Sequence, residues 1–148
     1  MRQMWLTLQE RQLLWLLRWW TGLFAGATVI FAVFPEGLIY WINAVGHTIF
    51  KWPYRSLPEP AEHFWQVLAV SLLVVLTYIA FEAQREIREN FSLVRIIIVS
   101  KFVTSAGFLL AFVLDGTYFA YLVGLAVDFL IFALTWFCYH RAAVSKGI

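Results

Sequence analysis

Apolar positions in this chain come in long unbroken blocks separated by short polar punctuation. Leu13 to Phe34 is a run of 22 residues whose only charge is Arg18. His63 to Phe81 adds 19 residues without a formal charge. A third block occupies about Arg95 to Leu114, and a fourth runs from Thr117 to Tyr139. A hydrocarbon layer about 30 Å thick takes about 20 helical residues to cross. The pattern therefore predicts four transmembrane helices, at about 13–34, 63–81, 95–114 and 117–139. Pro35-Glu36-Gly37 ends the first, the charged stretch Glu82 to Asn90 is expected in water, and Asp115-Gly116 reads as a tight turn. The short connections after the second and third spans make their neighbours antiparallel.

One segment has a different period. In Gly37 to Trp52, the apolar residues Leu38, Trp41, Ile42, Val45, Ile49 and Trp52 recur at intervals of three and four, while Asn43, His47 and Lys51 share another face. Its 16 residues are too few to cross, so the segment (about 37–52) is expected to lie in the interface as an amphipathic helix. Pro53, Pro58 and Pro60 then stiffen a short return to the second span.

Composition agrees with the blocks. The 148 residues are 62% apolar and 14% charged, where a soluble domain carries about 25% charged. Too little polar surface is present to cover a soluble globule, and 14 Phe, 8 Trp and 6 Tyr are the opposite of a disordered composition. The fold class expected is an all-α integral membrane bundle, with residues 1–148 as a single transmembrane domain. A cleavable secretory signal is the competing reading of the first block, because Arg2 and Arg11 precede an apolar stretch containing Ala25-Gly26-Ala27. Three tryptophans ahead of a long apolar segment suit a retained anchor better. The single cysteine, Cys138, excludes an internal disulfide, a Cys-x-x-Cys redox site and a cysteine-held cluster. It therefore also excludes the four-helix oxidoreductases that generate disulfides. A net charge of +2 with scattered basic residues is no nucleic-acid signature.

Basic residues orient the spans. Arg2, Arg11, Arg18, Arg85, Arg88, Arg95, Arg141 and Lys146 fall on one side, eight in all, against Lys51 and Arg55 on the other. Both termini are then expected in the cytoplasm and the amphipathic segment outside. The indoles band accordingly: Trp15, Trp19, Trp20 and Trp136 near the inner edge, Trp41, Trp52 and Trp65 near the outer one.

Signatures of catalysis are missing: no Walker-type loop, no His-Glu-x-x-His, no Gly-x-Ser-x-Gly. His63 and His140 lie at opposite faces and cannot share a haem iron. His47 and His63, with Glu59 and Glu62, are a candidate outer metal site, weighed against ordinary solvated or capping roles. No metal and no cofactor is expected. Gly22-x-x-x-Gly26, with Thr21, Ala25 and Thr28 beside it, reads as a helix-packing face, either inside the bundle or against another protein.

The sharpest feature is a pair of charges inside the spans. Asp128 is eleven residues from either end of the fourth, and Lys101 six residues inside the third. Such charges cost on the order of 3 kcal/mol each and are seldom left unpaired. Lys101 is 14 residues before Asp115 and Asp128 is 13 after it, so both lie at one depth, about 20 Å from the turn. Ser100, Thr104, Ser105, Tyr121 and Thr135 extend a polar track around them, while Arg95 can snorkel out. Three readings stay open: a structural ion pair, a lipid, quinone or small-molecule pocket with a polar floor, and an ion or proton path.

Arg18-Trp19-Trp20-Thr21-Gly22-Leu23-Phe24-Ala25-Gly26 and Val123-Gly124-Leu125-Ala126-Val127-Asp128, set in a layout of four short spans with an outward segment after the first, resemble DoxX-like small membrane proteins. The resemblance covers most of the chain as layout and implies no catalytic residue. The sequence thus leads to a non-enzymatic protein, an accessory or assembly subunit of a larger complex in a bacterial inner membrane. Its expected partners are membrane lipids and other membrane subunits or a second copy, not nucleic acid. The alternative is a lipid-, quinone- or small-molecule-binding or transport protein built on Lys101 and Asp128.

Overall fold

The computed structural model describes residues 6–58 and 63–145. Among them the chain forms five helices and no strand: α1 Leu8–Val33, α2 Pro35–Thr48, α3 His63–Arg85, α4 Phe91–Leu114 and α5 Phe119–Ser145. Four of these, α1, α3, α4 and α5, are long and apolar enough to cross a membrane. The protein is an all-helical membrane bundle of four such helices plus the short α2.

α3 starts at His63 and α4 ends at Leu114 as expected, while other helix boundaries depart from the apolar blocks for local reasons. α1 begins five residues before Leu13 because Thr7 and Glu10 form a reciprocal capping box. The Thr7 hydroxyl accepts from the Glu10 N–H at 3.2 Å, and the Glu10 carboxylate accepts from the Thr7 N–H at 2.8 Å. Pro35 does not lead into a loop. It is the first residue of α2, where its fixed φ suits a helix and its missing N–H would have no partner anyway. Phe34 alone separates the two helices, with φ −135° and ψ 54°.

α2 stops at Thr48, four residues short of the expected Trp52. Lys51 takes the left-handed region at φ 49°, the chain reverses, and the Trp52 N–H returns to the Gly46 carbonyl at 2.9 Å. The polar face of α2 holds the proline segment. Asn43 clasps the Leu57 backbone through both amide atoms, at 3.0 and 3.1 Å. His47 Nδ1 donates to the Trp52 carbonyl at 3.1 Å, which leaves Nε2 to accept from the Ser56 hydroxyl at 2.9 Å.

Helix also extends into the stretch expected in water. α3 continues through Arg85, Ala83 and Ile87 are buried, and α4 starts at Phe91, which puts Arg95 one turn inside it. Only a five-residue connection, residues 86–90, is left between α3 and α4.

Around the bundle α1 packs on α3, α3 on α4, α4 on α5 and α5 on α1, with α2 against α5 and α1. The pairs are antiparallel. Gln66 near the start of α3 donates to the Phe31 and Ala32 carbonyls near the end of α1, at 3.1 and 3.2 Å, while Gln84 donates to the Thr21 hydroxyl at 3.1 Å. The buried core is confined to one half of the length. It is built from Leu13, Leu17 and Phe24 of α1, Ala80 and Ala83 of α3, Val94 and Ile97 of α4, and Ile131 and Ala142 of α5. In the half towards α2, none of residues 25–33, 64–75, 106–114 or 119–127 is buried. The outward surface elsewhere is apolar and aromatic, as lipid-facing surface must be.

Candidate functional site: an ion pair inside the bundle

Lys101 and Asp128 face each other across α4 and α5. The Lys101 ammonium donates to Asp128 Oδ1 at 2.8 Å, and the two residues are only 7% and 8% exposed. The helical turn supplies the depth, since both helices leave the connection between residues 114 and 119 in opposite directions. Thr104, one turn from Lys101, donates its hydroxyl to Asp128 Oδ2, so both carboxylate oxygens are engaged. Phe24 of α1 closes the third side, with the ammonium 5.1 Å from its ring centroid, where the negative face of the ring favours a cation. An apolar surround strengthens each of these contacts and makes an unpaired charge there costly.

The rest of the expected polar track is not one track. Thr135 is fully buried a heptad further along α5, where it accepts from Trp20 Nε1 at 2.9 Å and donates to the Ile131 carbonyl at 2.6 Å. Tyr121 turns away from Asp128 and donates to Asp115 Oδ2 at 2.6 Å, in the turn. Ser105 is buried and reaches only the Leu125 carbonyl, at 3.5 Å. Ser100 contributes only its carbonyl, 3.1 Å from the Thr104 hydroxyl oxygen. Of the residues expected around Asp128, then, only Lys101 and Thr104 touch it through polar atoms.

Of the two readings of Gly22 and Gly26, packing inside the bundle is not what the structure shows. Both are exposed, and a Cβ built on either would meet nothing within 4 Å, so they bring no pair of helices in this chain together. Close approach occurs at other glycines. A Cβ at Gly46 would lie 2.7 Å from the Phe119 ring, and one at Gly124 would lie 2.7 Å from the Phe108 ring. Small residues do set helix contacts here, but at the α2–α5 and α4–α5 crossings.

A second ion pair escapes a reading by hydropathy. Glu10 is 1% exposed in the first turn of α1, and Arg88 grips it from the α3–α4 connection with Nε–Oε1 at 2.8 Å and Nη2–Oε2 at 2.9 Å. Planar bidentate geometry makes this a strong form of carboxylate pairing. The hydrogen bonds to Glu10, then its charge, push the Arg88 guanidinium further above its ordinary range. The signal in the sequence was Thr7-x-x-Glu10 ahead of an apolar run, which marks a helix start. Nothing in the sequence paired that Glu with Arg88.

Of the candidate outer metal ligands, His47 has both ring nitrogens engaged. Glu59, Glu62 and the His63 side chain lie outside the described residues, as do Arg2 and Lys146 of the charge count and Pro60 of the proline segment. Arg95 is exposed, with its Nε donating to the Tyr139 hydroxyl and its guanidinium 5.7 Å from that ring.

Compared with protein-family models, with curated proteins and with solved structures, the chain matches none, so the likeness to DoxX-like proteins rests on sequence layout alone.

Proposed function

We propose that this membrane protein is non-enzymatic and acts as an accessory or assembly subunit of a larger membrane complex. In this reading it sits in a bacterial inner membrane with both termini in the cytoplasm. The observation that carries the reading is the closure of the Lys101–Asp128 site. Both carboxylate oxygens and the ammonium are already engaged by the chain's own groups, which suits a register-fixing contact better than a reaction centre. What the protein then offers is surface, aromatic and broad, of the kind that membrane subunits use against each other.

Purification in mild detergent followed by intact-mass analysis tests this. A stoichiometric protein partner supports the accessory role, and a protein recovered alone under conditions that keep other complexes whole overturns it. The orientation has its own test. A cysteine replacing the exposed Arg55, in a Cys138→Ala background, is expected to react with an impermeant thiol reagent applied from outside. Labelling that needs broken membranes reverses the topology.

A second reading has one observation in its favour. The buried core stops near the level of Asp128, and every residue from 116 to 125 on the α5 side is only half-buried. A small apolar molecule entering that half would find Lys101, Thr104 and Asp128 as its polar floor. The same mass analysis separates the two readings when the Lys101→Met, Asp128→Leu double variant is run beside wild type, because a quinone or lipid retained in place of a protein and lost in that variant favours this one.

A further inference from the structure

The outward face of α1 carries Arg11, Trp15, Arg18 and Gly22 in one stripe, at intervals of four, three and four residues, and all four are exposed. Two hollows run along it. One, of about 530 Å³, lies between Arg11, Gln12 and Trp15 and reaches Cys138 of α5. The other, of about 670 Å³, lies between Arg18, Trp19 and Leu23 over Gly22. Trp15, Leu16 and Trp19 line both, so the hollows form one trough. It follows the axis of α1, with Arg11 near one end, Arg18 two turns further along and an apolar floor beyond.

Arg11 and Arg18, like Arg141 over the Phe137 ring, differ from the other described arginines at this end of the bundle. Arg88 holds Glu10, Arg85 holds Glu82 at 2.9 Å and Arg95 donates to Tyr139. Neither Arg11 nor Arg18 has a carboxylate partner among the described residues, and Arg18 lies over the Trp15 ring, 5.6 Å from its centroid. Depth makes this informative. Trp20 is level with Thr135, seven residues along α5 from Asp128, and Arg18 is two residues further out, about 13 Å from the ion pair. If that pair sits near the midplane, Arg18 stands just within the hydrocarbon edge at about 15 Å, and Arg11 about 10 Å further out among headgroups. A cation there is favoured by an anion in the headgroup layer, and an indole pair at that depth marks the interface.

We propose that this trough binds one acidic phospholipid. Its phosphate lies between the Arg11 and Arg18 guanidiniums, with Gln12 beside it, and an acyl chain follows Leu16, Trp19 and Leu23 across the backbone of Gly22. Arginine is suited to the phosphate because its planar fork meets two oxygens at once. Gly22 is suited to the chain because no side chain stands in the path, and the open space measured at its Cβ position is the room an alkyl chain takes. The inference does not depend on the accessory role, since a lipid seat and a protein partner are read out separately.

The test uses the full chain, delipidated in mild detergent and titrated with dioleoyl phosphatidylglycerol or with phosphatidylcholine of the same chains, bound lipid being counted by native mass spectrometry. Wild type is expected to retain the acidic lipid well over tenfold more readily than the zwitterionic one. Arg11→Gln and Arg18→Gln should each reduce that preference about fivefold, and the double variant should abolish it. Gly22→Leu should weaken both lipids alike by filling the chain's path. Melting in detergent checks the fold of each variant, and Arg55→Gln, on the opposite face, should leave the preference intact. Equal retention of the two lipids by wild type overturns the proposal. So does a preference that survives the double variant, or displacement of the lipid by excess inorganic phosphate, which would reduce the site to an anion contact without a chain.

Discussion

The two antiparallel pairs, α4 with α5 and α1 with α3, are held in opposite ways. α4 and α5 leave a turn of four residues, so the connection itself sets their register, and an enclosed ion pair at mid-depth joins them, with Arg95 on Tyr139 further along. Residues 34–62 lie between α1 and α3, and a connection that long constrains register little. That pair is locked instead at several levels: Glu10 to Arg88 by way of the α3–α4 connection at one end, Gln84 to Thr21 further in, and Gln66 to the Phe31 and Ala32 carbonyls at the other end. The ion pairs differ as well. Lys101 and Asp128 are both shut away, while the Glu10 side chain is 2% exposed against 47% for Arg88. A short turn tolerates a costly charge pair because alignment comes free with the hairpin. A long connection leaves alignment to contacts spread along the helices.

The largest effect should follow from breaking the enclosed pair. Lys101→Met and Asp128→Leu each leave one charge in an apolar surround and should lower stability in detergent by about 3–5 kcal/mol. The double variant is expected to recover much of that, because two apolar groups fit where two charges did. A double variant as unstable as the sum of its parents would show the charges to be energetically independent, and would remove the contrast drawn above.

Glycines give the next largest effect. Gly46→Leu forces the Phe119 ring, packed on Phe50 and Trp52, to move, and should cost about 1–3 kcal/mol by overpacking. Gly22→Leu with Gly26→Leu should change the melting of the isolated chain by less than about 0.5 kcal/mol, since nothing stands within 4 Å of either position. Thermal melting of the two variants side by side checks it. Equal losses would mean that the first span packs through its glycines after all.

At the end of the α1–α3 pair the asymmetry itself is the prediction. Glu10→Gln should cost about 1 kcal/mol, because Arg88 can turn to water once its partner is neutral. Arg88→Gln should cost more, since it strands a carboxylate that the fold has buried. Chemical denaturation of the two variants decides the order, and the reverse order would place the weight of the contact on the arginine. The smallest effect belongs to Trp20→Phe, which deletes the indole N–H donated to Thr135. A loss of about 0.6 kcal/mol is expected, the usual size of a hydrogen bond between membrane helices. No change at all would mean that Thr135 is satisfied by the Ile131 carbonyl alone.

Much of this architecture could be read from the order of residues, for a physical reason. In a bilayer the backbone must satisfy itself, so length and apolarity of a block determine a helix almost without reference to its neighbours. The four apolar helices, the short turn at Asp115, the short helix after the first span and the equal depth of Lys101 and Asp128 all follow from counting along the chain. Azimuth does not. Which way Tyr121, Thr135, Gly22 and Gly26 point depends on where neighbouring helices stand, and hydropathy is nearly the same all round a membrane helix. Only the packed bundle turned Tyr121 to Asp115, gave Thr135 to Trp20, moved close approach to Gly46 and Gly124, and joined Glu10 to Arg88 across 78 residues of chain.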